Sequence, residues 1–142
     1  MRVLGIDYGD RRIGLALSDK LLLTGQSLGS YQRQNKRADK LYFQQLIEKH
    51  DISKVVIGLP LLMNGTRGIQ AQKTQDFAQW LEDALKLPTI LWDERLTTQQ
   101  ALRVLTMHNV KGKQKKKFKD QISASIILSS YLESERRKSN VR

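Results

Sequence analysis

Residues 54–59 read KVVIGL, an almost unbroken apolar run rich in β-branched side chains. A strand of this kind has no face to offer to water, so it belongs inside a sheet covered on both sides. Residues 88–92, PTILW, have the same character. Helical patterns lie before and between these runs. Leu41, Phe43, Leu46 and Ile47 fall at helical spacing within residues 37–50. A longer helix opens at Thr66 and carries Ile69, Phe77, Trp80, Leu81, Ala84 and Leu85. Strand–helix–strand order calls for parallel pairing through crossover connections.

The N-terminal third reads differently. Residues 3–6 and 13–18 form two strands of a hairpin around residues 8–12, and residues 21–28 form a third strand interrupted by Gly25. After residue 92, Thr97-x-x-Gln100 forms a capping box for a helix running through residue 105. Residues 108–119 read as a mobile, lysine-rich loop, and residues 120 to about 135 as a final helix. A basic tail follows from about residue 136. The order β-β-β-α-β-α-β-α-α predicts an α/β fold over residues 1–142, a single domain with a mixed sheet flanked by helices on both faces.

Charge is the informative part of the composition. The 142 residues carry a formal net charge of +11, and residues 111–142 alone hold ten basic and three acidic side chains. Such a block points to a polyanionic partner, nucleic acid first among them. The absence of cysteine excludes disulfides and thiolate metal sites and fits a reducing compartment. No apolar stretch is long enough to span a bilayer, and the first residues do not read as a signal peptide. These features predict a cytoplasmic protein with no membrane partner. A Walker A pattern and the dinucleotide glycine spacing are both missing.

The acids fall at chosen places. Asp7 ends the first strand, Asp93 and Glu94 end the last, and Asp120 opens the final helix, sharing a face with Ala124, Ile127 and Tyr131 by spacing. Taken singly, each has an ordinary reading: a turn acid, an acid favouring the next helix N-terminus, an N-cap. Taken together, they predict carboxylates converging at the carboxyl edge of the sheet. Converging like charges force protonation of at least one unless a cation intervenes. Mg²⁺ prefers such oxygen donors, and two ions about 4 Å apart serve phosphodiester cleavage. Arg11, Arg12 and Arg95 neighbour the acids and are candidate phosphate ligands. Asn64-Gly65 is a strong turn signal, and Thr66 is placed to cap a helix whose amides favour phosphate. Lys111, Lys113, Lys115, Lys116, Lys117 and Lys119 suggest an electrostatic clamp. His50 and His108 are too isolated to form a metal site.

Four segments in order, GIDYGDRRIGLALSD, VVIGLPLLMNGTRGIQAQ, WDERLTT and KDQISASIILSSYLE, resemble the motifs of the YqgF family. This family, also called RuvX-like, is described as Holliday junction resolvases and pre-16S rRNA nucleases. The resemblance covers nearly the whole chain. It implies a ribonuclease H-like fold with a five-stranded mixed sheet and metal-dependent phosphodiester hydrolysis. It also implies an acidic set of Asp7, Glu94 and Asp120, with Asp93 as second choice and Mg²⁺ or Mn²⁺ as the metal. Its implied partner is pre-rRNA or branched DNA, the latter usually met by a homodimer. A non-catalytic RNA-binding assembly factor is the alternative that the basic block alone would support.

Overall fold

The computed structural model describes residues 1–62, 64–96 and 112–140, with the backbone alone described at residues 96, 112–121 and 140. Five strands form one sheet: β1 (Arg2–Asp7), β2 (Arg12–Ser18), β3 (Gly25–Gln32), β4 (Ile52–Leu59) and β5 (Thr89–Asp93). Their spatial order is β3-β2-β1-β4-β5. The first three strands form antiparallel pairs, whereas β1, β4 and β5 run parallel. Helix α1 (Lys36–His50) crosses from β3 to β4, and α2 (Ile69–Leu85) from β4 to β5. A short 3-10 turn, Glu94–Leu96, follows β5. Helix α3 (Gly112–Asn140) comes last. This is the mixed, five-stranded, helix-covered sheet that the apolar runs predicted.

Alternation along the strands divides two cores. Leu4, Ile6, Val55 and Ile57 face α1 and α2, where they pack on Phe43, Phe77 and Leu81. Val3 and Val56 face α3 and meet Ala124, Ile127, Leu128 and Tyr131. Helix α3 comes close because the strands carry glycine beneath it. A Cβ at Gly5 would lie 2.7 Å from Leu128 Cβ and 3.1 Å from the Ala124 carbonyl oxygen. The α3 backbone therefore sits almost on the sheet.

The third strand begins later than expected. Asp19 gathers the amides of Leu21, Leu23 and Thr24 at 3.2, 2.7 and 2.8 Å, and Leu22 takes φ of 59°. These bonds, the one from Thr24 first, hold the Asp19 carboxyl below its ordinary pKa. Residues 21–23 thus form a loop, and β3 runs from Gly25 to Gln32. A bulge at Gly29, where φ is 92°, lets the strand continue. Helix α2 begins at Ile69 after Gly68, not at Thr66. The Thr66 hydroxyl and amide instead bond Asn64 Oδ1 at 2.7 and 3.0 Å within the preceding turn.

The expected loop and tail need a larger correction. Residues 112–119 are helical, so Asp120 lies well inside α3 and is not its N-cap. Lysine and glutamine are good helix formers, and no proline interrupts them, so the packed part of α3 propagates back through the block. The helix also continues to Asn140, replacing a tail from residue 136. Arg136 there donates to the carbonyls of Leu22 and Leu23 at 3.3 and 2.8 Å, fastening α3 to the residue 19–24 loop. The capping box and helix expected over residues 97–105, His108 and Lys111 lie outside the described residues. Among the described residues no helix is long and apolar enough to cross a membrane.

Candidate active site at the carboxyl edge

Parallel pairing brings the ends of β1, β4 and β5 to one edge. Ile6 stands opposite Ile57, and Leu59 opposite Asp93. Asp7 is the last residue of β1, and Glu94 the first beyond β5. Neighbouring strands are about 4.8 Å apart, so β4 separates the two chains by roughly 10 Å in all. Gly58 removes the obstacle between them. A Cβ there would stand 2.5 Å from Glu94 Oε1 and 2.9 Å from its Cγ. The Glu94 carboxylate therefore folds back over β4, on the side facing α3. By alternation Asp7 shares that side with Val3 and Gly5. Two acids almost ninety residues apart in the sequence thus meet one face of the sheet at one edge.

Asp93 is employed differently. It accepts from the Arg95 amide at 2.9 Å, from Nε at 3.1 Å and from Nη2 at 2.7 Å. The Arg95 guanidinium thereby holds the Asp93 carboxyl below its ordinary pKa, against the opposing effect of burial. Arg95 in turn lies against the residue 61–67 loop, with Nη1 3.5 Å from where a Cβ would stand on Gly65. That loop closes on itself through Leu62 N to Thr66 O at 2.9 Å and Gly65 N to Leu62 O at 2.8 Å.

The third acid reaches the same edge by backbone. Ile127 lies over Gly58, and Tyr131 beside Lys54 with an Nζ–Oη distance of 3.1 Å, so α3 runs antiparallel to β4. Asp120 precedes Ile127 by two turns, about 10 Å along the axis, which carries its backbone to the carboxyl edge. Among the described residues no three Asp, Glu, His or Cys side chains form a metal-sized group; the side chain of Asp120 is not among them.

The cations divide between the β1–β2 turn and the start of α3. Arg11 and Arg12 are exposed, and Asp10 pairs with Lys73 at 3.4 Å, not with either arginine. Lys113, Lys115, Lys116, Lys117 and Lys119 lie on the first turns of α3.

One network escaped the sequence reading. Arg33 Nη1 donates to the Tyr8 hydroxyl at 2.8 Å, and its guanidinium lies over the rings of Tyr8 and Phe77. Its Nε is 3.7 Å from Asp39, a carboxylate only 2% exposed. Asp39 also accepts from the Tyr31 hydroxyl at 2.7 Å and the Gln34 amide at 3.0 Å. Burial, then Asp39, pushes the Tyr31 phenol up to about 12. The network braces the residue next to Asp7 from the opposite face. Asp39 gives no local signal of it, standing where any first-turn acid would.

Residues 1–134 match the family model described as "RuvX: Holliday junction resolvase". The chain belongs to the RuvX family. A relative from Syntrophus aciditrophicus, named "Putative pre-16S rRNA nuclease", is 45% identical over 94% of this chain and 89% of its own. One of the same name from Syntrophomonas wolfei is 44% identical over 94% of each. Among solved structures, Thermus thermophilus RuvC in complex with a Holliday junction substrate aligns with a TM-score of 0.57 at 14% identity, covering 94% of this chain and 96% of that one. The fowlpox virus Holliday junction resolvase aligns with a TM-score of 0.55 at 13% identity, covering 94% and 99%. These structural likenesses establish a ribonuclease H-like fold for the RuvX chain.

Proposed function

We propose that this RuvX-family chain is a metal-dependent nuclease that hydrolyses phosphodiester bonds in structured nucleic acid, with the 5′ end of 16S rRNA precursor as its substrate. The observation that carries the reading is the shared placement of Asp7 and Glu94 on the α3 face, with Gly58 leaving room between them. Close relatives named for pre-16S rRNA favour RNA over a DNA junction. Cytoplasmic location belongs to the same reading.

Asp7, Glu94 and Asp120 would hold Mg²⁺ or Mn²⁺. The donor set fits: all are carboxylate oxygens, which hard divalent ions prefer, and Gly58 leaves the space through which the Glu94 carboxylate reaches over β4. When bound, a pair of such ions supplies an activated water and stabilises the leaving oxygen. The chain's own part is to fix the acids on rigid strand ends and to bring phosphate to them. In this reading Glu94, over Gly58, does this work, while Asp93 orients Arg95, which lies against the residue 61–67 loop. Arg11, Arg12, Arg95, the Asn64–Thr66 turn and the lysines of α3 would hold the substrate phosphates.

The test is cleavage of a precursor rRNA fragment with Mg²⁺ by wild type, Asp7→Asn and Asp120→Asn. Cleavage by wild type alone supports the site. Equal cleavage by all three overturns it, and cleavage by none leaves the RNA-binding assembly factor as the better reading. The family's description as a Holliday junction resolvase favours a second substrate, branched DNA. Symmetric cutting of a junction requires two active sites, so that reading predicts a homodimer in solution.

A further inference from the structure

The carboxyl edge extends past the acids on the side away from β5. Strand β3 runs parallel to β1 through their shared partner β2, with Arg12 opposite Gln32 and Asp7 opposite Gly14. The end of β3 therefore reaches the same edge as Asp7, two strand spacings or roughly 10 Å away. Between the β1–β2 turn and the start of α1 lies an open groove of about 370 Å³. Asp10 and Arg11 form one wall, and Arg33, Gln34, Asn35 and Lys36 form the other.

The charge of this groove is one-sided. Asp39 lines it too, but its carboxylate is buried, accepts from the Tyr31 hydroxyl and the Gln34 amide, and is ion-paired with Arg33. Asp10 is met by Lys73. Arg11 and Lys36 are exposed, and among the described residues neither has an ion-pair partner. Arg33 is anchored on two rings and a phenol and its charge is balanced by Asp39, so the cations left to a ligand are Arg11 and Lys36. The remaining lining is amide, from Gln34 and the unused nitrogen of Asn35, whose Oδ1 accepts from the Ala38 amide at 2.8 Å. Uncompensated cations beside amides, in a groove neither apolar nor enclosed, suit a sugar–phosphate backbone: guanidinium and ammonium for phosphate, amides for ribose hydroxyls.

We propose that this groove is a second nucleic-acid subsite, holding backbone that flanks the bond cleaved at the acids. The proposal rests on the nuclease reading above, but it concerns binding and is read separately. It lies toward the α1 side of the edge, whereas Asp7 and Glu94 face α3. A substrate held at both must pass over the edge from one face of the sheet to the other.

The experiment uses the full chain carrying Asp7→Asn, so that binding is measured without cleavage. The probe is a fluorescein-labelled RNA hairpin with a 5′ extension, followed by anisotropy across a salt series. Lys36→Ala in that background should weaken binding several-fold and lower the slope of log K against log salt by about 0.7 to 0.9, the loss of one phosphate contact. Lys49→Ala removes the same charge from the other end of α1, about 20 Å away, and should leave the slope unchanged. Equal slopes for Lys36→Ala and the parent overturn the groove while leaving the nuclease reading intact. An equal fall for Lys49→Ala overturns it also, since net charge alone would then explain the loss. Failure of the parent to bind the hairpin overturns the groove together with the substrate assignment beneath it.

Discussion

One face of the sheet is filled with rings, and the other, among the described residues, is covered by a single helix drawn down over glycines. On the first, Phe43, Phe77, Tyr8 and Trp80 meet tilted or edge-on above Leu4, Ile6 and Ile57. On the second, the strands carry glycine where the helix comes closest: Gly5, Gly25 and Gly58 lie under Ala124, Ser125, Ile127 and Leu128. The ring-filled face fixes the strands and braces the β1–β2 turn through Arg33 and Asp39. The glycine face leaves room, and at the carboxyl edge the Glu94 side chain occupies that room over Gly58, on the face that Asp7 shares. Bulk supplies stability on one side, and its absence leaves room for the proposed site on the other.

That division can be broken from either side. The largest effect is expected on the ring face. Phe43→Ala empties a fully buried position and should cost about 3–5 kcal/mol, seen as a lower midpoint in urea unfolding. An unchanged midpoint would mean that the rings do not carry the fold. On the glycine face, Gly5→Ala sets a Cβ against the Ala124 backbone and should cost about 1–3 kcal/mol. Gly58→Ala meets mainly the ends of Glu94 and Ile127, which can swing aside. It should spare the unfolding midpoint more than Gly5→Ala does, yet lower cleavage by about a hundredfold through displacement of Glu94. If Gly58→Ala instead unfolds the chain with activity per folded molecule intact, Gly58 serves packing alone.

Smaller effects sharpen the picture. The Tyr31 phenol ionises at about 12 in the fold against an ordinary 10. The unfolded chain therefore loses this proton first, and stability falls as pH climbs from 10 toward 12. Tyr31→Phe should flatten that decline in a pH series of unfolding midpoints; an undiminished decline would remove Tyr31 from the brace. Replacing the lysines of residues 113–119 with alanine should flatten the salt dependence of RNA binding without altering the unfolding midpoint. An unchanged slope would end the clamp interpretation.

The parts legible in the sequence are those where one physical cause dominates. Val55, Val56 and Ile57 had to be buried on both sides, and that placed β4 inside the sheet. The edge strand β3 was misplaced because Gln26, Ser27, Ser30 and Gln32 carry no apolar rhythm, while the apolar Leu21, Leu22 and Leu23 belong to a loop shaped by Asp19. The start of α3 was hidden because a lysine block looks solvated whether helical or not. Asp7 was legible as an acid where a buried strand should continue. Glu94 was not separable from Asp93 by local rules, since adjacent acids differ only in where the chain turns after β5. That turn sends one carboxylate over Gly58 and gives the other to Arg95.

The most direct test of the account compares these neighbours. Mg²⁺-dependent cleavage of precursor rRNA should be abolished in Glu94→Gln and largely retained in Asp93→Asn, with both variants folded by circular dichroism. Cleavage that survives Glu94→Gln and is lost in Asp93→Asn would contradict the placement of Glu94 with Asp7 as the working pair.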